Sequence, residues 1–204
     1  GAPGCPGLYP ERTKRISTIK ELLELFPDAK ILLDATEQEI PRPKNKKRRK
    51  THYSGKKKKH TVKTQLLVNK KELIIHKTKH KKGSQHDYGI WKKTHPYIPP
   101  YVEVDMDSGY QGIQKDFPSL KSRLPVKKHR GKSLSEKDKK HNKELSKERV
   151  IVEHAIARIK KFNIIEQEFR NRLKTYDTKM SVVCGIVNFK TMLREGMVVS
   201  GFVG

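Results

Sequence analysis

The chain has 204 residues, enough for one domain with its own core and too few for two full domains. It is 33% hydrophobic and 34% charged, and its 47 Lys+Arg against 22 Asp+Glu give a formal net charge of +25, which points to a polyanionic partner: nucleic acid first, an anionic membrane surface second. No apolar run approaches the roughly 20 residues of a spanning helix, and the two cysteines, Cys5 and Cys184, lie too far apart in sequence to suggest a disulfide framework, so a reducing compartment is expected.

Residues 1–16 carry turn formers and charges without the apolar core of a signal peptide, and read as a flexible leader or linker. Ser17 then caps a predicted helix with Ile19, Leu22, Leu23 and Phe26 at helical spacing, ended by Pro27. "KILLDATEQEI" reads as a buried strand closing on Asp34. From Ile40 to Lys71 there is no acidic residue and there are 14 Lys or Arg. Within this basic stretch "PRPKNKKRRK" reads as an exposed loop. Its Lys46, Lys47, Arg48 and Arg49 suit a localisation signal or, better, a contact to a DNA backbone.

"SGKKKKHTVKTQLLVN" shifts into strand alternation, with His60, Val62, Thr64 and Leu66 on one face, and Asn69–Lys71 turns the chain into "ELIIHKTKH" as a hairpin. "GSQHDYGIWKKT" reads as a turn and a short helix that Asp87 is placed to cap. A proline-punctuated loop leads into the strand "VEVDMD", and Gly109 and Gly112 behind it read as turn residues. A long helix starts near Ser133 or Ser135 and runs through "ERVIVEHAIARIK", with Val152, Ile156 and Ile159 as its apolar stripe. "NIIEQEFRNRLK" fits no single element, and "TYDTKMSVVCGIVNFKTMLREG" reads as a helix packed on the core. This order predicts a mixed β-sheet flanked by helices, an α/β fold, over residues 17–196, with 197–204 as a tail.

Three acids fall on three different elements: Asp34 and Asp107 at strand ends, and Glu153 on the long helix beside its apolar stripe. Two magnesium ions about 3.5–4 Å apart need several carboxylate oxygens, and two strand-end aspartates plus a helical glutamate would supply them for phosphodiester chemistry. Each acid has an ordinary alternative as a surface ion pair or cap, and Arg149 with Glu153 is also a plain i,i+4 pair. Asp105 lies on the same side of its strand as Asp107 by period-two alternation and is its rival. Neither cysteine has a partner at zinc-ligand spacing and no Walker-type glycine loop occurs, so neither zinc nor ATP is expected.

The blocks "LLDATE", "YSGKKKKHTVKTQLLV", "GSQHD", "VDMDSGYQG" and "RVIVEHAIARIK" resemble, in order, those of insertion-sequence DDE transposases, from about residue 30 to about 195. The last block carries the family's Tyr-x2-Arg-x3-Glu-x6-Lys pattern: Arg149, Glu153 and Lys160 match, while Ser146 stands at the tyrosine position. The resemblance implies an RNase H-like catalytic domain whose metal-binding triad is Asp34, Asp107 and Glu153. It selects Asp107 over Asp105 because the family sets one residue between its second aspartate and the "GYQG" turn. It implies two Mg2+ ions, with Mn2+ as a substitute, and a DNA substrate whose ends are hydrolysed and joined to target DNA by a 3′ hydroxyl. It also implies a dimer on DNA in a prokaryotic, nucleoid-associated, cytoplasmic setting.

In this reading Lys160 meets a phosphate near the metals, or is a solvated helix lysine. Arg149 orients Glu153 or grips DNA, and Asp87 in "GSQHD" resembles a family position or simply caps the helix that follows. Lys63, with His60, approaches the site from the strand antiparallel to the first, or is merely exposed. The family usually carries an N-terminal helical DNA-binding region before its first aspartate. The expectation is therefore a fragment or the second of two reading frames, with weak sequence specificity alone. The rival classes are a basic DNA-binding protein without catalysis and a different RNase H-like nuclease that cleaves without strand transfer.

Overall fold

The computed structural model describes residues 30–128, 131 and 133–196; the predicted leader, Ser17 helix and tail lie outside the described residues. The first strand, β1, spans Ile31–Glu39 and lies at the centre of the sheet. On one side it pairs antiparallel with β3 (Lys59–Asn69), from Ile31 opposite Asn69 to Glu39 opposite Thr61. On the other it pairs parallel with β6 (Glu103–Met106), which pairs parallel in turn with β7 (Lys121–Arg123). Three short strands, β2 (Tyr53–Ser54), β4 (Ile74–Lys77) and β5 (Lys81–Lys82), all pair antiparallel with β3.

The strand expected to close on Asp34 runs on for five residues, to Glu39. The reason is that its two neighbours end at different places: β6 stops pairing at Leu33, whereas β3 continues opposite Ala35–Glu39. Asp34 therefore sits where β1 loses a partner on one flank only.

Alternation along β1 divides the core into two layers. Leu32, Leu66 and Val68 face the long helix, and Ile31, Leu33 and Leu67 face the other way, towards Trp91, Met106 and Tyr110. The long helix itself spans Glu136–Lys160 and is capped by Ser135, whose hydroxyl accepts from the Asp138 N–H at 3.1 Å. Its buried positions are Leu145, Val152, Ala155 and Ile159. Ala155 thus takes the place expected for Ile156, which is only half-buried and turns towards a cleft.

"NIIEQEFRNRLK" resolves into a short helix, Asn163–Glu166, then extended chain, then a 3-10 turn at Leu173–Thr175. The C-terminal helix, Tyr176–Arg194, packs Met180, Val183 and Val187 on the same layer as the long helix. Its Asn188 side chain pairs with both the N–H and the C=O of Ile74, at 2.8 and 2.9 Å, so the backbone of that residue is satisfied at the start of β4. Glu72, in the β3–β4 turn, gathers His154, Arg158 and Arg194 and ties both helices to the sheet.

The basic segment expected as a loop contains a helix instead, α1, Lys46–His52. Asn45 caps it, accepting from the Arg48 N–H at 3.0 Å, and its lysines and arginines are good helix formers whose charge suits the last turn. Its end is pinned to the sheet at Gly83, where a Cβ would lie 2.0 Å from Thr61 Oγ1 and 3.0 Å from the His52 carbonyl. A second short helix, α2, spans Asp87–Thr94. Asp87 is its first residue; the cap position falls to His86, which makes no side-chain cap bond, so Asp87 is free to point elsewhere.

Candidate active site

The register of the central parallel pair brings two aspartates together. Ile31, Leu32 and Leu33 lie opposite Val104, Asp105 and Met106, so the next residue in each strand is Asp34 and Asp107. Asp107 ends its strand by capping a 3-10 turn, Ser108–Tyr110, with its own carboxylate on the Ser108 N–H. That turn drives Tyr110 into the core, where its hydroxyl accepts from Gln65 Nε2 at 2.7 Å, and the same Gln65 amide donates to the Asp87 carbonyl. Burial pushes the Tyr110 hydroxyl pKa well up, so it stays protonated beneath the carboxylates. Gly112 completes the turn at φ +94°, a left-handed conformation that glycine adopts without strain.

The third acid comes from the long helix. Arg149 lies one turn before Glu153 and reaches all three carboxylates: Asp107 at 3.3 Å, Glu153 at 3.9 Å and Asp34 at 4.0 Å. The three acids expected from the sequence therefore converge on one guanidinium. Burial raises the Asp34 carboxyl pKa above the usual range; the Ala35 N–H and Arg149 oppose this, and the charges of Asp107 and Asp87 add to it.

The carboxylates line a cleft of about 310 Å³. Lys160 lines it too, with a 3.4 Å ion pair to Glu166 holding its ammonium at the rim. Lys63 is buried beneath it, and its Nζ is committed to Asp87 at 3.0 Å, Glu37 at 3.4 Å and the Gln85 carbonyl at 2.9 Å. His60 does not line this cleft; its ring packs edge-on against Tyr53. Lys46, Lys47, Arg48 and Arg49 lie on α1 and do not line this cleft. The sequence reading missed Lys56, Lys57 and Glu37, which also line the cleft. The lysines looked like the lead-in to a strand, and only the β2–β3 pairing shows that they overhang the end of β1.

Asp105 has a different neighbourhood. It is 1% exposed, and Arg123 grips it with two bonds of 2.9 and 3.2 Å while Lys30 lies 3.3 Å away. Arg123 also reaches Glu148 at 3.1 Å and Glu103 at 3.4 Å, so Asp105, Glu103 and Glu148 all share its guanidinium. Burial, together with the neighbouring Glu148 carboxylate, pushes the Asp105 carboxyl up to about 6 against the pull of Lys30 and Arg123. Glu148 resists its own partial burial and is held at about 2 by Asp105, Lys30 and Arg123.

The donor set at Asp34, Asp107 and Glu153 is all hard oxygen, the chemistry that Mg2+ and Mn2+ select. The geometry is that of an ion pair: among the described residues no three His, Cys, Asp or Glu side chains are gathered as ligands of one ion. The carboxylates suit a divalent cation in type, and in this structure Arg149 stands among them.

A sheet with its centre strand antiparallel to one neighbour and parallel to the other, helices over it, and acids at adjoining strand ends facing a helical acid defines the RNase H-like class of α/β folds. The description "DDE superfamily endonuclease" matches residues 33–188, and the chain belongs to that family. Membership implies dependence on a divalent metal. Over 176 residues the chain is 37% identical to a protein of Microchaete diplosiphon described as a probable transposase for insertion sequence element IS702, covering 86% of this chain and 62% of that relative. No solved structure matches. Among the described residues no helix is long and apolar enough to cross a membrane.

Proposed function

We propose that this chain carries the catalytic site of a DNA transposase, in which Asp34, Asp107 and Glu153 hold divalent metal, most simply two Mg2+ ions. The observation that carries the reading is the convergence of these acids, from adjoining strand ends and the facing helix, on the single cation of Arg149. When bound, the metal would supply an activated water or 3′ hydroxyl and neutralise the leaving oxygen.

The chain's own part is to position and to balance charge. Asp34 is fixed by its own strand and the Ala35 N–H, and Asp107 by the turn it caps. Glu153 rides on a helix whose Val152 and Ala155 are locked in the core. Arg149, freed from its ion pairs, is placed to meet a phosphate oxygen, as is Lys160 from the rim. Lys63 holds Asp87 and Glu37 beneath the cleft. Hydrolysis at an element end would come first, and attack of the freed 3′ hydroxyl on target DNA would use the same acids. Two copies of the chain on DNA would join two ends.

The relative's description as a probable insertion-sequence transposase and the net charge of +25 support DNA as the substrate. The test is cleavage of labelled duplex carrying element ends, with Mg2+ or Mn2+ against a chelator, by wild type, Asp34→Asn and Glu153→Gln. Metal-dependent cleavage lost in both variants is expected. Salt-sensitive DNA binding with no cleavage under any metal would return the protein to the non-catalytic DNA-binding class.

A further inference from the structure

A second concave surface lies beside the carboxylate cleft and is of opposite character. It encloses about 570 Å³ and is lined by Lys47 and Arg48 of α1, by Lys81 and Lys82 of β5, and by Lys174 of the 3-10 turn before the C-terminal helix. Among the described residues none of these five cations has an ion-pair partner. The nearby carboxylate of Asp177 is committed to His80, whose N–H and ring nitrogen it holds at 2.7 and 2.8 Å.

The walls are built rather than floppy. The Ser84 hydroxyl donates to the Thr51 carbonyl at 2.6 Å, the Gly83 N–H donates to the Thr61 carbonyl at 3.0 Å, and His52 is buried against its own helix at 2.9 Å from the Arg48 carbonyl. Burial lowers the His52 pKa, and the charges of Arg48, Lys82 and His80 lower it further, although the Arg48 carbonyl bond opposes them. The ring is therefore held neutral between cations that the fold forces together. Unneutralised cations gathered around one concavity repel one another in the free protein, and a polyanion relieves that cost.

Resting on the reading of this chain as a DNA-processing enzyme, we infer that this basic cleft holds the sugar–phosphate backbone of the DNA next to the segment being cut. Three features favour a backbone over a single anion. The cations are spread over a helix, a strand and a turn rather than aimed at one point. Duplex DNA presents about one charge per 1.7 Å of axis, which matches spread cations. The cleft also adjoins the carboxylate cleft: Lys63 pairs across the strands with Lys81, and its Nζ binds the carbonyl of Gln85, which lines the basic cleft.

The test uses the full chain in the presence of a chelator, so that no metal chemistry enters. Duplex binding is measured by fluorescence anisotropy over a salt series for wild type, for Lys81→Gln/Lys82→Gln/Lys174→Gln, and for a control with Lys137, Lys140 and Lys143 of the long helix changed to Gln. All three proteins are first shown to melt alike. If each cleft lysine meets a phosphate, the slope of log K against log salt falls by roughly 2.7 in the cleft variant, at about 0.9 per contact. The control is expected to change by less than half of that. Lysine acetylation mapped by mass spectrometry should show Lys81, Lys82 and Lys174 protected by duplex and not by inorganic phosphate.

Equal slopes in the two variants, or the same protection by inorganic phosphate as by duplex, would overturn the inference. Cleavage retained by a cleft variant that binds like wild type would sink this inference and leave the proposed function standing. No cleavage by wild type under any metal, with the salt slope still lowered in the cleft variant, would sink the proposed function and leave the cleft standing as a surface for the DNA backbone.

Discussion

Gly83→Ala tests how α1 and the basic cleft are attached to the sheet. A Cβ there would lie 2.0 Å from Thr61 Oγ1, 2.8 Å from the Thr61 carbonyl and 3.0 Å from the His52 carbonyl. The hydroxyl can rotate away, but it then gives up its 2.8 Å bond to the Glu37 carboxylate, a loss of about 1.5–3 kcal/mol. The two carbonyls belong to β3 and to the end of α1 and cannot rotate, so overpacking adds about 1–3 kcal/mol. Alanine's smaller unfolded-state entropy returns about 0.4–1 kcal/mol. The net expectation is a loss of about 2–5 kcal/mol, read from denaturant unfolding with the m-value unchanged. Adding Thr61→Ala removes the closest contact, so the double variant should lose less than the sum of the singles. A loss below about 1 kcal/mol in Gly83→Ala alone would refute the close approach of α1 to β5 and would weaken the case for a preformed cleft.

Three further outcomes follow from the carboxylates. Arg149→Gln removes the cation that competes for Asp34, Asp107 and Glu153 and should strengthen Mn2+ binding to the free protein, read by electron paramagnetic resonance; weaker binding would mean that Arg149 organises the acids instead. The Asp105 carboxyl, raised to about 6, favours folding most below the ordinary carboxylate range and loses that contribution as pH rises through 6. Glu148, held at about 2, contributes above the ordinary range and loses its contribution as pH falls towards 2. The two overlap on the weakly acid side, so the melting temperature at pH 5 relative to pH 7 should be higher in wild type than in Asp105→Asn, as scanning calorimetry would show. Glu72→Gln should lower stability more at neutral pH than at pH 3, because Arg194, Arg158 and His154 hold its carboxyl below the usual range against burial; a deficit independent of pH would contradict that ion cluster.

Much of the frame could be read from local pattern. The alternation through Val62, Thr64 and Leu66 gave β3, and Ser135 gave the start of the long helix. Partners distant in sequence were beyond that reach. Asp105 and Asp107 are equivalent by alternation, and what separates their surroundings is Arg123, on a three-residue strand of "KSR" that carries no periodic signal. The apposition of Asp34 and Asp107 depends on the register between β1 and β6, which either strand alone leaves open. α1 is hidden in the sequence because a run of prolines, lysines and arginines has loop composition; its helix depends on the Asn45 cap and on the room that Gly83 leaves. Alternation alone leaves Lys63 either near the site or on the surface, and the structure buries its ammonium between Asp87 and Glu37, partners on two other elements.

The central claim is that Asp107, and not Asp105, works with Asp34 and Glu153. The direct measurement is strand cleavage and strand transfer on precleaved element ends with Mg2+ or Mn2+, comparing wild type, Asp107→Asn and Asp105→Asn, each first shown to be folded. The account predicts that Asp107→Asn abolishes both reactions while Asp105→Asn, whose side chain serves Arg123 and Lys30 in the interior, retains them. Activity retained by Asp107→Asn and lost in a folded Asp105→Asn would contradict it.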